Sequence, residues 1–223
     1  ELSRTDHEDP HTNDQATARW TITVKSTDPD MVGRAFSNAV FQTALASIPG
    51  MHSLSGGPSG AEPFGVFRAE YLDAVAVPQY VHIGGETKEV SSVAPAGVSA
   101  RVDLDRTGHA PTGSTARAPL GTIVGARSGD KGGNANVGVF ARTDEGWTWL
   151  DDFLTIERLR ELLPETFDLH IERHRLPRIR SLNFVIHDLL GDGVAASTRP
   201  DAQAKSLGEW LRARIVDIPL ELL

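Results

Sequence analysis

One stretch of the sequence, residues 125–138, concentrates side chains that could bind or activate a ligand. Between five glycines it carries two cations, a carboxylate, a hydroxyl and two amides: Arg127, Ser128, Asp130, Lys131, Asn134 and Asn136. The cations could hold a phosphate, a carboxylate or an enolate oxygen, and Asp130 could move a proton. Backbone amides exposed beside Gly132 and Gly133 could add an anion-binding concavity.

The same stretch is also compatible with a purely structural role. Asp and Asn side chains commonly bond their own backbone in a tight hairpin, and that needs no ligand. A nucleotide-binding loop is excluded, because the stretch lacks the Lys-Ser/Thr ending of a P-loop and precedes a strand instead of a helix. We favour a ligand site over a bare hairpin, because rigidly placed polar loops tend to carry function.

A second polar set lies further along the chain and comprises Asn183, Asp201, Gln203 and Lys205. Apolar residues alternate around Asn183, so they predict a strand that places Asn183 on the opposite face. The other three stand at the start of a predicted helix, where free N–H groups can meet an anion. The alternative is an ordinary surface ion pair between Asp201 and Lys205, which are four residues apart.

Composition excludes several function classes. A formal net charge of −8 argues against binding to nucleic acid or to anionic membranes, since both need a basic face. The absence of cysteine excludes thiolate chemistry and fits a reducing cytoplasm, which is the predicted location. No metal site is predicted, because no His and Asp residues stand at a familiar metal-ligand spacing. The basic run at residues 173–175 predicts a solvated turn and strand edge.

The elements that must position these residues fall into four segments. Residues 1–17 are polar and predict a disordered, mobile arm. Residues 18–93 predict a partial α/β segment, and residues 94–117, rich in Ala, Pro and Gly, predict a linker. Residues 118–223 predict a compact C-terminal domain.

The partial α/β segment begins with a predicted strand at 20–24. A helix follows from Asp28, an N-cap with proline after it, to residue 48. Further strands are predicted at 66–69, 80–83 and 89–93, and Gly84-Gly85 is a plausible hairpin turn between the last two.

In the C-terminal domain the predicted order is strand, strand, helix, strand, strand, helix. Strands are expected at 120–126, 135–142, 167–171 and 182–186, with a turn at 144–146. One helix should begin after Thr155, and the last helix after Thr198. A sheet with both helices on one face buries the apolar stripes, so we expect an α+β, ferredoxin-like two-layer sandwich.

Several of these runs carry a family likeness. The run Ala126-Arg127-Ser128-Gly129-Asp130-Lys131-Gly132-Gly133-Asn134-Ala135-Asn136 resembles the hallmark of the acyclic terpene utilisation family (AtuA-like proteins). Residues 182–186, 201–205 and 216–219 are similar to the same family. The likeness covers the C-terminal domain, which resembles the family's ferredoxin-fold domain, while residues 32–39 and 48–50 resemble the end of its larger N-terminal domain.

The resemblance implies a role in the catabolism of branched terpenoid acids as acyl-CoA thioesters. No cofactor is predicted, and CoA is expected only as part of the substrate. The lead hypothesis is part of an enzyme of hydratase or lyase type, in which Asp130 and Lys131 are catalytic. Arg127 would help Lys131 to hold an anionic oxygen, and the amides of Asn134, Asn136 and Asn183 would orient a carbonyl. The rival hypothesis is a non-catalytic assembly or ligand-binding module.

The resemblance also implies partners. Most of the family's N-terminal domain lies outside this chain, so we expect that domain of the same protein, or a partner subunit, to complete the molecule. We also expect a homo-oligomer, and neither nucleic acid nor a membrane as a partner.

Overall fold

The computed structural model describes residues 2–45, 50–53, 60–91 and 113–223. They divide into two units, residues 1–64 and 65–223, which are described separately below. Some of the sequence predictions fall outside these ranges: the end of the first helix at 46–48, the end of the strand at 89–93, and most of the linker at 94–117.

The first unit contains two short paired strands and two helices. Strand β1 (Leu2–Ser3) pairs with β2 (Arg19–Trp20) in antiparallel fashion. The predicted strand at 20–24 is therefore wrong beyond Trp20, and the apolar side chains that suggested it stay exposed (Trp20 49%, Ile22 40%). A strand pattern without a partner layer does not extend, because it buries little apolar surface.

The predicted helix start at Asp28 is confirmed. The Asp28 carboxylate accepts a hydrogen bond from Asp30 N at 2.9 Å, and Pro29 is the first residue of helix α1 (Pro29–Val32). Gly33 interrupts the helix with ψ of −133°, and α2 (Arg34–Leu45) continues after it. The single predicted helix is thus two helices in the described residues.

The second unit begins with an irregular segment and a hairpin. Strands β3 (Gln79–Ile83) and β4 (Glu86–Val90) pair in antiparallel fashion and form the predicted hairpin, although β4 begins three residues before the strand predicted at 89–93. Gly84 and Gly85 make the turn with φ of +58° and +86°, the conformation that a two-residue hairpin turn requires. The predicted strand at 66–69 is wrong, since these residues form no strand; instead Phe67 N donates to Asp192 O at 2.8 Å.

Strand β5 (Thr115–Pro119) starts inside the predicted linker. It pairs with the C-terminal strand β10 (Ile215–Pro219) over five residues, which places both ends of this part of the chain side by side. The alternation of exposed and half-buried residues along β5 shows that one of its faces is covered. The predicted linker therefore ends at or before Ser114.

The central element of the second unit is a four-stranded antiparallel sheet. Its strands are β6 (Val124–Lys131), β7 (Asn134–Ala141), β8 (Ile171–Leu176) and β9 (Ser181–Ile186), in the order β6-β7-β9-β8. One face is apolar and forms the core: Val124, Ala135, Val137, Val139, Leu182, Phe184 and Ile186 are fully buried there. This sheet with its helices confirms an α+β architecture.

Three helices pack on that apolar face. The predicted turn at 144–146 is instead the first turn of helix α3 (Asp144–Phe153). Thr143 caps this helix by accepting a hydrogen bond from Gly146 N at 3.0 Å. Helix α4 (Ile156–Leu162) is capped by Thr155, as predicted. Helix α5 (Leu207–Ala213) begins nine residues after the predicted cap Thr198.

The third strand lies later than predicted. Residues 167–171 alternate in hydropathy, but Phe167 ends a short 3₁₀ turn and is 69% exposed. The strand instead occupies the basic run, with Arg173 and Arg175 pointing to the helix side. Both bind Asp151 of α3, Arg173 Nη2 at 2.8 Å and Arg175 Nη2 at 2.6 Å. The prediction of a solvated run is wrong, because a buried carboxylate from a distant helix pairs these charges. The predicted strand edge is confirmed, because β8 is an edge strand of the four-stranded sheet.

In the described ranges, no helix has the length and apolar composition that a membrane span requires.

Candidate functional site

The face of the four-stranded sheet opposite the helices is polar, and we call it the polar face. Directly opposed residues of antiparallel strands share a face, so the register defines its rows. One row runs Arg127, Gly138, Asn183 and His174 across the four strands. The adjacent row runs Gly129, Asn136, Val185 and Glu172.

Two amides meet at the centre of the polar face. Asn136 Nδ2 donates a short hydrogen bond to Asn183 Oδ1, and both side chains are partly buried. This bond leaves the Asn136 oxygen and the Asn183 amino group able to bond a ligand. Gly138 is directly opposite Asn183 and two residues along β7 from Asn136, and it adds no side chain to the surface beside the amides. The structure thus brings together two of the predicted carbonyl-orienting residues.

The two predicted cations lie on the same face, along the edge strand β6. Arg127 is opposite Gly138, and Lys131 is opposite Asn134. Both side chains are exposed. A positive edge beside a pair of polarised amides is an arrangement that can hold a carboxylate or a phosphate.

Asp130 lies on the other face of the same strand. It is opposite Ala135, whose side chain is fully buried on the helix side. Strand alternation therefore separates Asp130 from Arg127 and Lys131, and the sheet itself lies between them. The prediction that Asp130 and Lys131 act together on one ligand is not supported by this geometry.

Ser128 also points to the helix side, where it holds α5. Its Oγ accepts from Gly208 N at 2.8 Å and donates to Lys205 O at 3.2 Å. The first turn of α5 therefore uses a strand hydroxyl in place of a local cap. Gly208 allows this approach, since a Cβ there would lie 3.3 Å from Ser128 Oγ.

Ser128→Ala should lower the free energy of unfolding by about 1 kcal/mol, because it leaves the Gly208 amide without its cap. Chemical denaturation measures this. Ser181→Ala is the control, since that hydroxyl donates to Ile179 O two residues away and should matter less. Equal effects for the two variants would contradict a capping role for Ser128.

Three more residues of the glycine-rich stretch have structural partners. Asn134 Oδ1 accepts from Asp188 N at 3.0 Å. Gly132 has φ of +66°, and a Cβ there would lie 2.3 Å from the Phe67 ring. A Cβ on Gly133 would lie 2.3 Å from Gly191 O. These contacts explain the residue types through packing, so the stretch is a strand hairpin with a two-glycine turn and not the predicted loop.

The residues of the second polar set lie in two separate places in the structure. Asn183 belongs to the polar face, whereas Asp201, Gln203 and Lys205 lie in a turn before α5, not in a helix. The Asp201 carboxylate accepts from Lys205 N at 2.9 Å and Ser206 N at 2.8 Å. Partial burial acts to raise the pKa of Asp201, but these bonds and one from the Ser206 hydroxyl outweigh it and hold that pKa below its usual value. Asp201 therefore organises the turn.

A group of histidines surrounds Glu172 on the polar face and was not predicted from the sequence. His187 Nε2 lies 2.8 Å from Glu172 Oε1, and His174 Nε2 lies 3.2 Å from Glu172 Oε2. The hydrogen bond from His187 lowers the pKa of Glu172, and the nearby charges of the histidines lower it further. His170 completes the group, with its ring 4.9 Å from that of His187.

The sequence did hold a signal for this group. His170, Glu172 and His174 alternate, which is the spacing that places three side chains on one strand face. Placing the third strand at 167–171 concealed the alternation. His187 could not be assigned to the group from local sequence, because it directly follows the neighbouring strand β9.

The C-terminal region of the chain is similar to a known protein family. Residues 118–217 match the family model of the AtuA ferredoxin-like domain. No curated protein and no solved structure matches the chain. The matched range runs from the end of β5 into β10 and includes the whole four-stranded sheet. Residues 118–217 of this chain therefore form an AtuA ferredoxin-like domain, as the resemblance of its motifs implied.

Proposed function

We propose that the polar face binds a carboxylate or an acyl thioester. In this proposal the chain is part of an enzyme that acts on an acyl-CoA or a branched carboxylate in terpenoid-acid catabolism, with hydratase or lyase chemistry and a two-layer ferredoxin-like domain as its scaffold. The observation that carries the proposal is the amide pair Asn136–Asn183 beside the cationic edge of β6.

The chemistry of these groups fits such a ligand. A guanidinium binds a carboxylate or phosphate through two parallel hydrogen bonds, which assigns the anionic end to Arg127. Lys131 lies four residues further along the same strand face, beyond Gly129. The free amino group of Asn183 can donate to a carbonyl oxygen and stabilise negative charge that develops there. Anion and carbonyl are the two features that an acyl-CoA and a carboxylic acid share.

Arg127→Ala and Asn183→Ala are each expected to weaken binding of an acyl-CoA or branched carboxylate about tenfold, because each removes a hydrogen bond to a charged or developing-charge oxygen. Calorimetric titration with CoA, acyl-CoAs, phosphate and short branched carboxylates measures this. Arg178→Ala is the matched control, since Arg178 is exposed in the turn between β8 and β9 and should leave the dissociation constant unchanged. Equal binding by Arg127→Ala, Asn183→Ala and the unchanged chain would refute the proposal.

The role of Asp130 is tested by the same binding titrations together with an assay of turnover. Because Asp130 lies on the helix side, Asp130→Asn should leave ligand binding intact. Loss of turnover in that variant, with binding and stability retained, would return a proton-transfer role to Asp130 and indicate that the reacting atoms reach the helix side.

A second candidate function, an assembly module, is favoured by a different observation. In the part of the second unit before β4, large apolar side chains are exposed: Tyr71 97%, Leu72 76%, Ile83 74% and Val75 64%. A group of exposed apolar side chains is typical of a surface that packs against another protein surface. That surface would belong to a further domain of the same protein, a partner subunit or a second copy. Failure of every ligand to bind would favour this candidate.

A further inference from the structure

We propose that His170, Glu172 and His187 form a binding site for a divalent first-row transition metal ion of the Zn²⁺ type. The three side chains offer two imidazoles and one carboxylate, and their ligand atoms all lie within 4.8 Å of one another. This donor set is the one that open zinc sites and two-histidine, one-carboxylate sites use.

The backbone holds these residues together. His187 N donates to His170 O at 3.0 Å, which extends the β8–β9 ladder by one pair beyond Ile171 and Ile186. His170 and His187 are therefore opposed on the polar face, and Glu172 lies two residues along on the same face. Ligands fixed on two hydrogen-bonded strands need only side-chain rotation to reach the separations of about 3.4 Å that metal–ligand distances near 2.1 Å imply.

His174 supports the carboxylate from its other side. Its Nε2 lies 3.2 Å from Glu172 Oε2, while Glu172 Oε1 faces His187. A bond of this kind orients a metal-binding carboxylate. The two ion pairs of Glu172 engage His174 and His187, and neither accounts for the presence of His170 in the same group.

The exposure of the three ligand side chains indicates whether the site is open or closed to solvent. His170 is exposed, and the side chains of Glu172 and His187 are 44% and 30% exposed. Structural zinc sites are closed by four protein ligands, whereas sites with three protein ligands leave a position for water or substrate. The geometry thus describes an open site that solvent or a ligand can enter.

The open position would lie on the same face as the amide pair. His174 is directly opposite Asn183. In the neighbouring row, Val185 of β9 lies between Glu172 of β8 and Asn136 of β7. If the polar face binds a carbonyl or carboxylate, a step that rests on the proposed function, the metal ion can bind or polarise the same group. Metal binding itself does not depend on that step.

The test uses the full chain, freed of metal by a chelator, and titrates it with Zn²⁺ by calorimetry and with Co²⁺ by visible absorption. We expect one ion per chain and ligand-field bands for Co²⁺. His187→Gln and Glu172→Gln should each weaken Zn²⁺ binding at least about tenfold, because even residues that only orient a ligand contribute that much. His174→Gln should weaken it less, and the melting temperature should rise with Zn²⁺ only where the ion binds.

The double variant His7→Gln, His11→Gln is the matched control, because it removes two histidines that stand among acids near the N-terminus. It should leave the Zn²⁺ dissociation constant unchanged. Unaltered binding by His187→Gln and Glu172→Gln, with melting temperatures showing intact folds, would overturn the proposal, as would loss of binding in the control. Zn²⁺ binding that leaves acyl-CoA affinity unaffected would refute only the coupling to the proposed function.

Discussion

Asp151→Asn should lower the free energy of unfolding by about 3 kcal/mol, because it leaves two partly buried guanidinium groups without their counter-charge. The Asp151 side chain is only 5% exposed and accepts from Arg173 and from both Nε and Nη2 of Arg175. Arg173 also donates to Leu154 O at 3.0 Å, so this network ties α3 to strand β8. Urea denaturation at pH 7 measures the loss.

Asp144→Asn is the control for this prediction. Asp144 also pairs with an arginine, Arg180, but its side chain is 86% exposed, and exposed ion pairs contribute little. A double-mutant cycle with Arg175→Gln isolates the pair: the double variant should lose less than the sum of the two single variants. Additive losses would show that the charges do not interact.

The Asp151 carboxylate also makes the free energy of unfolding depend on pH under acid conditions. Burial acts to raise the pKa of Asp151, but the hydrogen bonds from Arg175 and Arg173 outweigh it and hold that pKa below its usual value. Because the folded pKa lies below the unfolded value of about 3.9, the contribution is complete above about pH 4. It is lost as the pH falls through the lower, folded pKa. The stability difference between Asp151→Asn and the unchanged chain should therefore shrink under acid conditions.

Gly133→Ala should lower the free energy of unfolding by about 2 kcal/mol, because the added methyl group would overlap backbone that cannot move away. Its Cβ would lie 2.3 Å from Gly191 O. The two loops are also tied by the hydrogen bond from Leu190 N to Gly133 O at 2.9 Å, so separating them breaks a second contact. Thermal and chemical denaturation measure the change.

Gly129→Ala is the matched control, and it should change stability in the opposite direction. Gly129 does not have positive φ, and among the described residues other than its two chain neighbours no atom lies within 4 Å of a Cβ placed there. Alanine should then stabilise the chain by about 0.5 kcal/mol, because it restricts the unfolded backbone. A similar destabilisation by both variants would mean that the stretch tolerates no side chain for reasons other than packing.

Local signals in the sequence predicted the elements whose ends carry their own chemistry. Asp28-Pro29 begins a helix, Thr155 caps another, and Gly84-Gly85 turns a hairpin, all as predicted. The strand around Asn183 was also predicted, because apolar alternation there reflects a real buried face. Each of these signals acts within a few residues, so no knowledge of the rest of the chain is needed.

Elements that depend on distant partners were misplaced. Strand β8 carries charge on both faces, and the Asp151 carboxylate, together with the Leu154 carbonyl, makes the helix side of that strand compatible with burial. Strand β6 is rich in Gly, Asp and Lys, which are poor strand formers, yet it pairs along eight residues of β7. The Phe140 ring covers Gly125, and Ser128 holds α5, so tertiary contacts maintain a strand that local preference does not predict.

The sequence by itself predicted the glycine-rich polar stretch and Asn183 as candidate site residues, and their motifs correctly indicated the AtuA ferredoxin-like domain. Only the tertiary structure decided which of them share a face. A shift of one residue in strand register moves every side chain to the opposite face, and the register of β6 to β9 is set by pairing between distant segments. That pairing joined Asn136 to Asn183 and His187 to Glu172, and it placed Asp130 on the far side of the sheet.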